Sequence, residues 1–289
     1  MYNGLCYKVS TLEHKYSRIL GILTHYMVGG QGVPIILLHG LGGSVMSWRE
    51  NLQAFSQWGT VYAIDLPGHG DSEKPRDVPY NLSFAISFLE AFCQAEGLPS
   101  AILVGNSTGG LIALEFAYRH PELVKGLILV GSPGFGRGIA LFLRLLSVPR
   151  LGEFMARPTR GRLRALLNTI FYDSRAVPQD LLDEMCRIRS TPGATEAMLT
   201  ALRSGVTLWG LRSELVMLDK ARTLSMPTLI CWGQEDRLVP VGQAHKAHAA
   251  MRGSVIQVFP RCGHWPQMER ASDFNRLAQG LLSPVASHN

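Results

Sequence analysis

The chain has 289 residues, of which 46% are hydrophobic and 17% are charged, and its formal net charge is +6. This composition is typical of a globular protein and excludes a chain that is disordered over most of its length. The length accommodates one principal domain with room for an insertion, and the moderate positive charge favours anionic partners or surfaces without defining a fold.

The amino-terminal stretch MYNGLCYKVSTLEHKYSR lacks the basic region and apolar run of a secretory signal. The longest apolar runs, such as GLILVG and PIILLHG, have the length of core strands and are too short to cross a bilayer. We therefore expect a cytoplasmic protein without stable membrane insertion.

The cysteines are odd in number and include neither a C-x-x-C pair nor a zinc-like cluster. This pattern argues against a disulfide framework and against a metal site, and it predicts mostly reduced thiols that pack in the interior. The residues concerned are Cys6, Cys93, Cys186, Cys231 and Cys262.

Short apolar strands alternate with helical patterns in the first part of the chain, and the alternation returns near the carboxyl terminus. Such alternation predicts a mostly parallel sheet with helices on both faces. The segments are PIILLHG, MSWRENLQAFSQ, VYAIDL, LSFAISFLEAFCQAEG, AILVG and GLILVG in the first part, and MPTLICWG, VGQAHKAHAAM, SVIQVFP and ASDFNRLAQGLL in the second.

Between these two parts lies a segment with helical patterns and no convincing strand. Its helical pieces, which include ALFLRLLSV, GRLRALLNTIF and PQDLLDEMCRIR, are separated by prolines. We therefore predict an α/β core formed by residues 1–133 and 225–289, interrupted by an all-helical insertion of residues 134–224.

The positive charge is concentrated in this insertion, where a run of arginines is accompanied by one acidic residue, Glu153. Solvated helix faces are the preferred interpretation, and attraction to an anionic surface or to acidic substrates is the alternative. The arginines are Arg137, Arg144, Arg150, Arg157, Arg160, Arg162 and Arg164.

The stretch GNSTG, residues 105–109, lies where the apolar run AILV meets a helical pattern. A glycine two positions to each side of Ser107 permits the strained turn that exposes a serine hydroxyl at the carboxyl end of a strand. Parallel sheets bind ligands at that edge. A tight turn in which the serine only caps the helix is the alternative, so a nucleophile is predicted only if a complete catalytic set accompanies it.

A serine nucleophile needs a histidine base, which is itself oriented by a carboxylate. Among the nine histidines, His264 follows the strand SVIQVF and precedes the last helix, at the same edge of the predicted sheet. The turn after the strand TLICWG carries two carboxylates, Glu235 and Asp236, and both are candidates for its partner.

The glycine-rich stretch LLHGLGGS follows the first core strand. Backbone amides can turn inward there, and we predict the amides of Leu41 and Thr108 as the donors to an oxyanion. A glycine-rich turn that only leads into the next helix is the alternative. The stretch matches neither a phosphate-binding loop nor a dinucleotide fingerprint, so no nucleotide cofactor is predicted.

Four motifs together resemble the α/β-hydrolase superfamily, across essentially the whole chain apart from the insertion: LLHGLGG, DLPGHGDSEKP, VGNSTGG and CGHWPQMERASDFN. The chain order serine, acid, histidine is also that of this superfamily. The resemblance implies an α/β-hydrolase fold with a helical cap over the site, and it selects Asp236 as the triad acid. Asp65 and His69, in the second motif, are expected to be structural turn residues.

Asn106, Trp265 and the stretch ERASDFNRL are similar to the branch of the superfamily that hydrolyses carbon-carbon bonds in ring-cleavage products. That branch uses an arginine from the cap, whereas this sequence has Met185 at the corresponding place and Arg187 only nearby. Without the arginine a substrate carboxylate lacks its positioning charge, so ester hydrolysis is the first interpretation.

The sequence thus predicts a serine hydrolase without a cofactor or metal, which cleaves carboxylic esters through an acyl-enzyme. The alternatives are carbon-carbon hydrolysis of a dienol diketone and a small-ligand-binding protein that retains the triad. The expected partner is a small-molecule ester and not a nucleic acid, and the oligomeric state is left open. The predicted triad is Ser107, Asp236 and His264, and the expected substrate contacts are Gly40, Asn106 and Trp265.

Overall fold

The computed structural model describes the backbone of residues 12–286 and the side chains up to residue 282. Residues 1–11 and 287–289, which the predicted core range includes, lie outside the described residues, and so does Cys6. The other four cysteines are free thiols. No helix within residues 12–286 combines the length and the apolarity that crossing a bilayer requires.

Eight strands form one sheet in the order β1-β2-β4-β3-β5-β6-β9-β10, and β7 and β8 form a separate hairpin. All neighbours from β4 to β10 are parallel, as predicted, whereas β2 pairs antiparallel with both β1 and β4. The strands are β1 (Glu13–Ile19), β2 (Ile22–Gly29), β3 (Pro34–Leu38), β4 (Thr60–Ile64), β5 (Ala101–Asn106), β6 (Val124–Val130), β7 (Val206–Thr207), β8 (Gly210–Leu211), β9 (Thr228–Gly233) and β10 (Val255–Phe259).

Helices cover both faces of the sheet. Along β5, Leu103 packs into the core on one face and Val104 into the core on the other, because successive strand residues point in opposite directions. The helices are α1 (Leu52–Phe55), α2 (Leu82–Ala95), α3 (Thr108–Arg119), α4 (Leu141–Leu146), α5 (Leu151–Met155), α6 (Arg160–Ile170), α7 (Gln179–Arg189), α8 (Ala194–Gly205), α9 (Leu218–Ala221), α10 (Gly242–Ala250), α11 (Pro266–Glu269) and α12 (Ala271–Ala286).

The chain leaves the sheet after β6 and returns to it at β9, which is the neighbour of β6. We call residues 134–224, between these strands, the inserted segment. It contains helices α4 to α9, and it also contains the β7–β8 hairpin, which the sequence prediction did not include. Each strand of this hairpin has two residues, too few to show an alternating pattern.

Candidate active site

Ser107 occupies the turn between β5 and α3. Its backbone has φ 54° and ψ −121°, a conformation that is strained for any residue with a side chain. The neighbouring glycines make the turn possible: a Cβ atom on Gly109 would overlap the carbonyl oxygen of Leu38, and one on Gly105 would overlap the backbone of Gly109. The serine therefore stands on the kind of turn that its flanking glycines predict.

His264 and Asp236 lie together in two loops at the same edge of the sheet. The imidazole Nδ1 donates to Asp236 Oδ2 at 2.7 Å, and both side chains are buried. The other carboxylate oxygen, Oδ1, accepts from the amides of Leu238 and Val239 at 2.8 and 3.0 Å. These contacts hold the carboxylate in place and leave Nε2, on the far side of the ring, as the free end of the pair.

His264 Nε2 is buried and has no hydrogen-bond partner among the described residues. Both His264 and Ser107 line one cavity, but no described hydrogen bond joins Nε2 to the Ser107 hydroxyl. Catalytic hydrogen bonds are often long in the absence of substrate and tighten when it binds. The geometry thus brings the serine and the base to one site with the base's acceptor unused.

Glu235, the other candidate for the acid, is turned away from the histidine. Its Oε2 accepts from the amide of Cys262 at 2.9 Å. A third carboxylate, Glu269, accepts from the amides of Gly263 and Tyr172 at 2.9 and 2.7 Å, and burial raises the pKa of its carboxyl. Both side chains therefore brace the loop that carries His264, and only Asp236 contacts its ring.

The loop after β3 reaches the serine closely. A Cβ atom on Gly40 would stand 3.0 Å from Ser107 Cβ, and Gly42 has a positive φ of 71°. Leu41, between these glycines, lines the cavity together with Thr108. As the first residue of α3, Thr108 has an amide without an acceptor inside the helix. Both predicted donors therefore belong to the wall around Ser107.

The cavity has a volume of about 200 Å³ and an apolar wall. None of the described residues that line it is Asp, Glu, Lys or Arg. The inserted segment supplies much of the wall, including Phe142, Leu143, Ile170, Met185 and Leu211. An uncharged site of this kind favours neutral, apolar groups, because a charge placed there would lose its hydration without gaining a partner.

The three predicted substrate contacts, Gly40, Asn106 and Trp265, all line this cavity. Asn106 Nδ2 donates to the carbonyl oxygens of Val130 and His264, at 3.1 and 3.3 Å, while its Oδ1 is buried without a partner. Trp265 packs edge-on against Phe171 of the inserted segment. Asn106 thus connects the strand end to the histidine loop, and Trp265 connects that loop to the inserted segment.

His69 also lines the cavity, although its sequence motif indicated only a turn residue. Its Nδ1 donates to the carbonyl oxygen of Pro67 at 3.0 Å, and its Nε2 is buried without a partner. Burial, the adjacent His39 and the charges of Arg189 and Lys74 lower the pKa of its imidazole to about 3. The ring is therefore neutral, with one bare acceptor atom.

This neutral histidine predicts a specific dependence of stability on pH. Its folded pKa lies below its unfolded value near 6.5, so the unfolded chain binds an extra proton as the pH falls between these values. The contribution of this group to the unfolding free energy is complete above pH 6.5. It is lost on acidification, by about 1.4 kcal/mol per pH unit for each such group. His69→Gln is expected to flatten the curve of unfolding free energy against pH by that slope.

Urea unfolding of both proteins between about pH 7 and 4 measures this slope. His245→Gln, at an exposed position on α10, is the matched control and should keep the wild-type dependence. Parallel curves for wild type and His69→Gln would show that His69 is not the group responsible.

Asp65 forms a second buried pair, with His25. Its Oδ2 accepts from His25 Nδ1 at 2.7 Å and from the amide of Asp71 at 2.8 Å, and its Oδ1 accepts from the amide of Val45 at 2.8 Å. The carboxylate of Asp71 is held in turn by Arg187, at 2.7 and 2.8 Å. These acidic groups are therefore already engaged in fixing the turn after β4, the role that its sequence indicated.

Three residues of α7, Met185, Arg187 and Arg189, differ in their surroundings. Met185 lines the cavity, whereas Arg187 is on the surface in its ion pairs with Asp71 and Glu184. Arg189 is only 7% exposed, its described hydrogen bond goes to the carbonyl oxygen of Ala194 at 3.4 Å, and burial lowers the pKa of its guanidinium to about 10. No arginine among the described residues thus reaches the cavity wall, and Arg189 lies behind it.

A family model for the α/β-hydrolase fold matches residues 33–271. The chain is 32% identical over 266 residues to a 2-hydroxy-6-oxo-6-phenylhexa-2,4-dienoate hydrolase of Burkholderia cepacia, an alignment that covers 90% of this chain and 91% of that protein. It is 34% identical over 270 residues to the dihydrolipoyllysine-residue acetyltransferase component of the acetoin cleaving system of Cupriavidus necator, covering 93% and 69%.

Among solved structures, a meta-cleavage product hydrolase of Pseudomonas fluorescens superposes with a TM-score of 0.81 at 27% identity, covering 93% of this chain and 97% of that one. Since the family model spans well over half of the sequence, the chain belongs to the α/β-hydrolase fold family. The fold prediction is confirmed, and the chain is a hydrolase of this fold.

Proposed function

We propose that this protein is a serine hydrolase that cleaves neutral carboxylic esters with an apolar acyl group. The observation that carries the proposal is the buried His264–Asp236 pair, whose histidine lines the same uncharged cavity wall as Ser107. A hydroxyl on a strained turn, a base with an unused acceptor and a carboxylate behind that base form the constellation of acyl transfer.

In the proposed reaction the Ser107 hydroxyl attacks the ester carbonyl carbon while His264 Nε2 takes its proton. His264 then gives this proton to the departing alkoxide, which leaves an acyl group on the serine. Water, deprotonated by the same nitrogen, attacks the acyl-enzyme and releases the acid. Asp236 keeps Nδ1 protonated and stabilises the imidazolium that forms in both steps, without taking its proton.

The tetrahedral intermediate carries a negative charge on the former carbonyl oxygen. The amides of Leu41 and Thr108 are the proposed donors to this oxygen, and the amino-terminal end of α3 adds its partial positive charge. The close approach of Gly40 to Ser107 supports this assignment, because a side chain at position 40 would push the loop away from the serine.

The inserted segment is proposed to act as a cap that selects the substrate. Its helices α4, α6, α7 and α8 and its hairpin contribute apolar side chains to the cavity wall. The absence of a charged group from the described wall favours a neutral ester over a carboxylate-bearing substrate.

Carbon-carbon hydrolysis is the second candidate, and two observations favour it. The relatives of Burkholderia cepacia and Pseudomonas fluorescens are named for substrates of that chemistry. The second observation concerns Arg189, which lies one helical turn after Met185 and is buried without a described carboxylate partner. Its Nη1 lies 3.5 Å from the position that a Cβ atom on Gly42 would take. A modest movement of this guanidinium would supply the cation that position 185 lacks.

A direct comparison of substrates separates the two candidates. We expect p-nitrophenyl esters of straight-chain acids to be hydrolysed with a kcat/KM at least about tenfold higher than that for a ring-cleavage dienol carboxylate, because the latter must bury an unpaired charge. Met185→Arg, which places a guanidinium on the cavity wall, is expected to improve turnover of the dienol carboxylate and to weaken turnover of the esters.

Carbon-carbon hydrolysis would be established instead by two results together: the dienol carboxylate is hydrolysed faster than the esters, and Arg189→Gln raises the KM for the dienol carboxylate. A fluorophosphonate probe should label the peptide that contains Ser107 in either case. Lack of labelling, together with negligible turnover on a broad acyl panel, would favour a ligand-binding protein that retains the triad.

A further inference from the structure

The inserted segment presents a surface where large apolar side chains point into solvent. Trp209 is 80% exposed and Leu141 is 65% exposed, which is unusual for side chains of this size. We call this surface the α4–α5–hairpin face and define it by five exposed side chains: Leu141, Leu151, Phe154, Leu208 and Trp209.

These side chains belong to elements that touch one another. Helix α4 packs against both α5 and the first strand of the β7–β8 hairpin. Leu208 and Trp209 form the tip of that hairpin, and the backbone on both sides of it is paired through Val206 and Leu211. The exposed apolar groups are therefore carried on one continuous part of the inserted segment.

Arginines flank this face. The Arg137 Nε donates to the carbonyl oxygen of Leu211, beside the hairpin, and Arg150 directly precedes Leu151. Arg157 lies over the ring of Phe154, at 5.4 Å from its centroid.

These arginines have little acidic compensation. Glu153, the one acid in the sequence between Arg137 and Arg164, pairs with Arg203 at 2.7 Å. Among the described side chains, Arg137, Arg150 and Arg157 pair with no carboxylate, so their charge is available to an external anion.

We propose that the α4–α5–hairpin face docks on an anionic lipid bilayer. Tryptophan and leucine at a hairpin tip suit the boundary between headgroups and acyl chains, and arginines at the rim suit lipid phosphates. The combination fits a lipid surface better than a protein partner. In a bilayer, the exposed apolar side chains meet an apolar layer, and the arginines that flank the face, which lack a described carboxylate partner, meet negative charge.

The same elements face the cavity with their inner sides. Phe142, Leu143 and Leu146 of α4 line it, as do Val206 and Leu211 of the hairpin. Docking would thus place the cavity wall next to the lipid, where an amphiphilic ester can enter without crossing water. This consequence for the substrate class rests on the proposed ester hydrolysis, whereas the docking itself does not.

The docking is tested with the full chain and vesicles of phosphatidylcholine, alone or mixed equally with phosphatidylglycerol. Sedimentation should show binding to the anionic vesicles only, and binding should weaken as salt is raised to about 0.5 M. The double variant Leu208→Ser with Trp209→Ser should bind at least about tenfold more weakly, since it removes the inserted apolar groups. Arg137→Gln with Arg150→Gln should reduce binding and its dependence on salt.

Val255→Ser and Arg252→Gln, at exposed positions outside this face, are the matched controls and should bind like wild type. Ser107→Ala should also bind like wild type, so failure of the proposed hydrolysis would leave this test intact. The proposal is overturned if anionic vesicles are not bound, or if the Leu208→Ser, Trp209→Ser double variant binds them as well as wild type does. Concentration-dependent dimers without lipid that disappear in the hairpin variant would identify a contact between two copies of the chain instead.

Discussion

Replacement of Ser107 by alanine is expected to lower kcat for p-nitrophenyl ester hydrolysis by about four to six orders of magnitude. The hydroxyl supplies the oxygen that attacks the ester in the first step, and without it no acyl-enzyme forms for water to hydrolyse. Removing one oxygen atom from a turn fixed by Gly105 and Gly109 should leave the backbone in place. The thermal unfolding midpoint is therefore expected to stay close to that of wild type.

Ser204→Ala provides the matched control for this experiment. Ser204 also lines the cavity, but its hydroxyl donates to the carbonyl oxygens of Tyr80 and Ala201, and it has no part in the proposed mechanism. The control should retain kcat within about threefold. An alanine variant at position 107 that keeps the parent's turnover would rule out the acyl-enzyme mechanism.

The parallel part of the sheet was predictable because its signals are local. Runs such as AILVG and TLICWG are buried along their whole length, and each of them ends in a glycine that precedes a polar turn. The β1–β2 hairpin gave no such signal. Most of β1 is exposed and polar, and the strand is held at the sheet edge by its antiparallel pairing with β2 rather than by burial of its own side chains.

Most of the candidate site was also predictable, because chain order and strand ends place its members at one sheet edge. Seven of the eight residues named from the sequence line the cavity, and Asp236 reaches it through His264. The rest depends on contacts between distant segments. That His69 reaches the cavity, that Arg189 is buried behind its wall, and that an arginine-rich insertion presents an uncharged inner face follow from packing that no local pattern specifies.

Asp236→Asn is expected to lower kcat by about three to four orders of magnitude with little change in KM. An amide at this position can present its NH₂ group to His264 Nδ1, which favours the tautomer with the proton on Nε2 and leaves no base for the serine. The amides of Leu238 and Val239 fix the side chain through Oδ1, so asparagine should occupy the same place. Comparing kcat and KM with the unfolding midpoint separates this effect from a loss of structure.

Glu235→Gln is the matched control, because it neutralises the adjacent carboxylate without touching the ring of His264. Glu235 accepts from the amide of Cys262 at 2.9 Å, and a glutamine oxygen can accept the same bond. This variant should keep kcat within about threefold and lose at most a modest part of its stability. If Glu235→Gln were inactive while Asp236→Asn retained turnover, the orienting acid would have to be reassigned. Because the two positions are adjacent, both variants remove one negative charge from the same turn. A difference in kcat between them therefore reports on the 2.7 Å contact between Asp236 and His264.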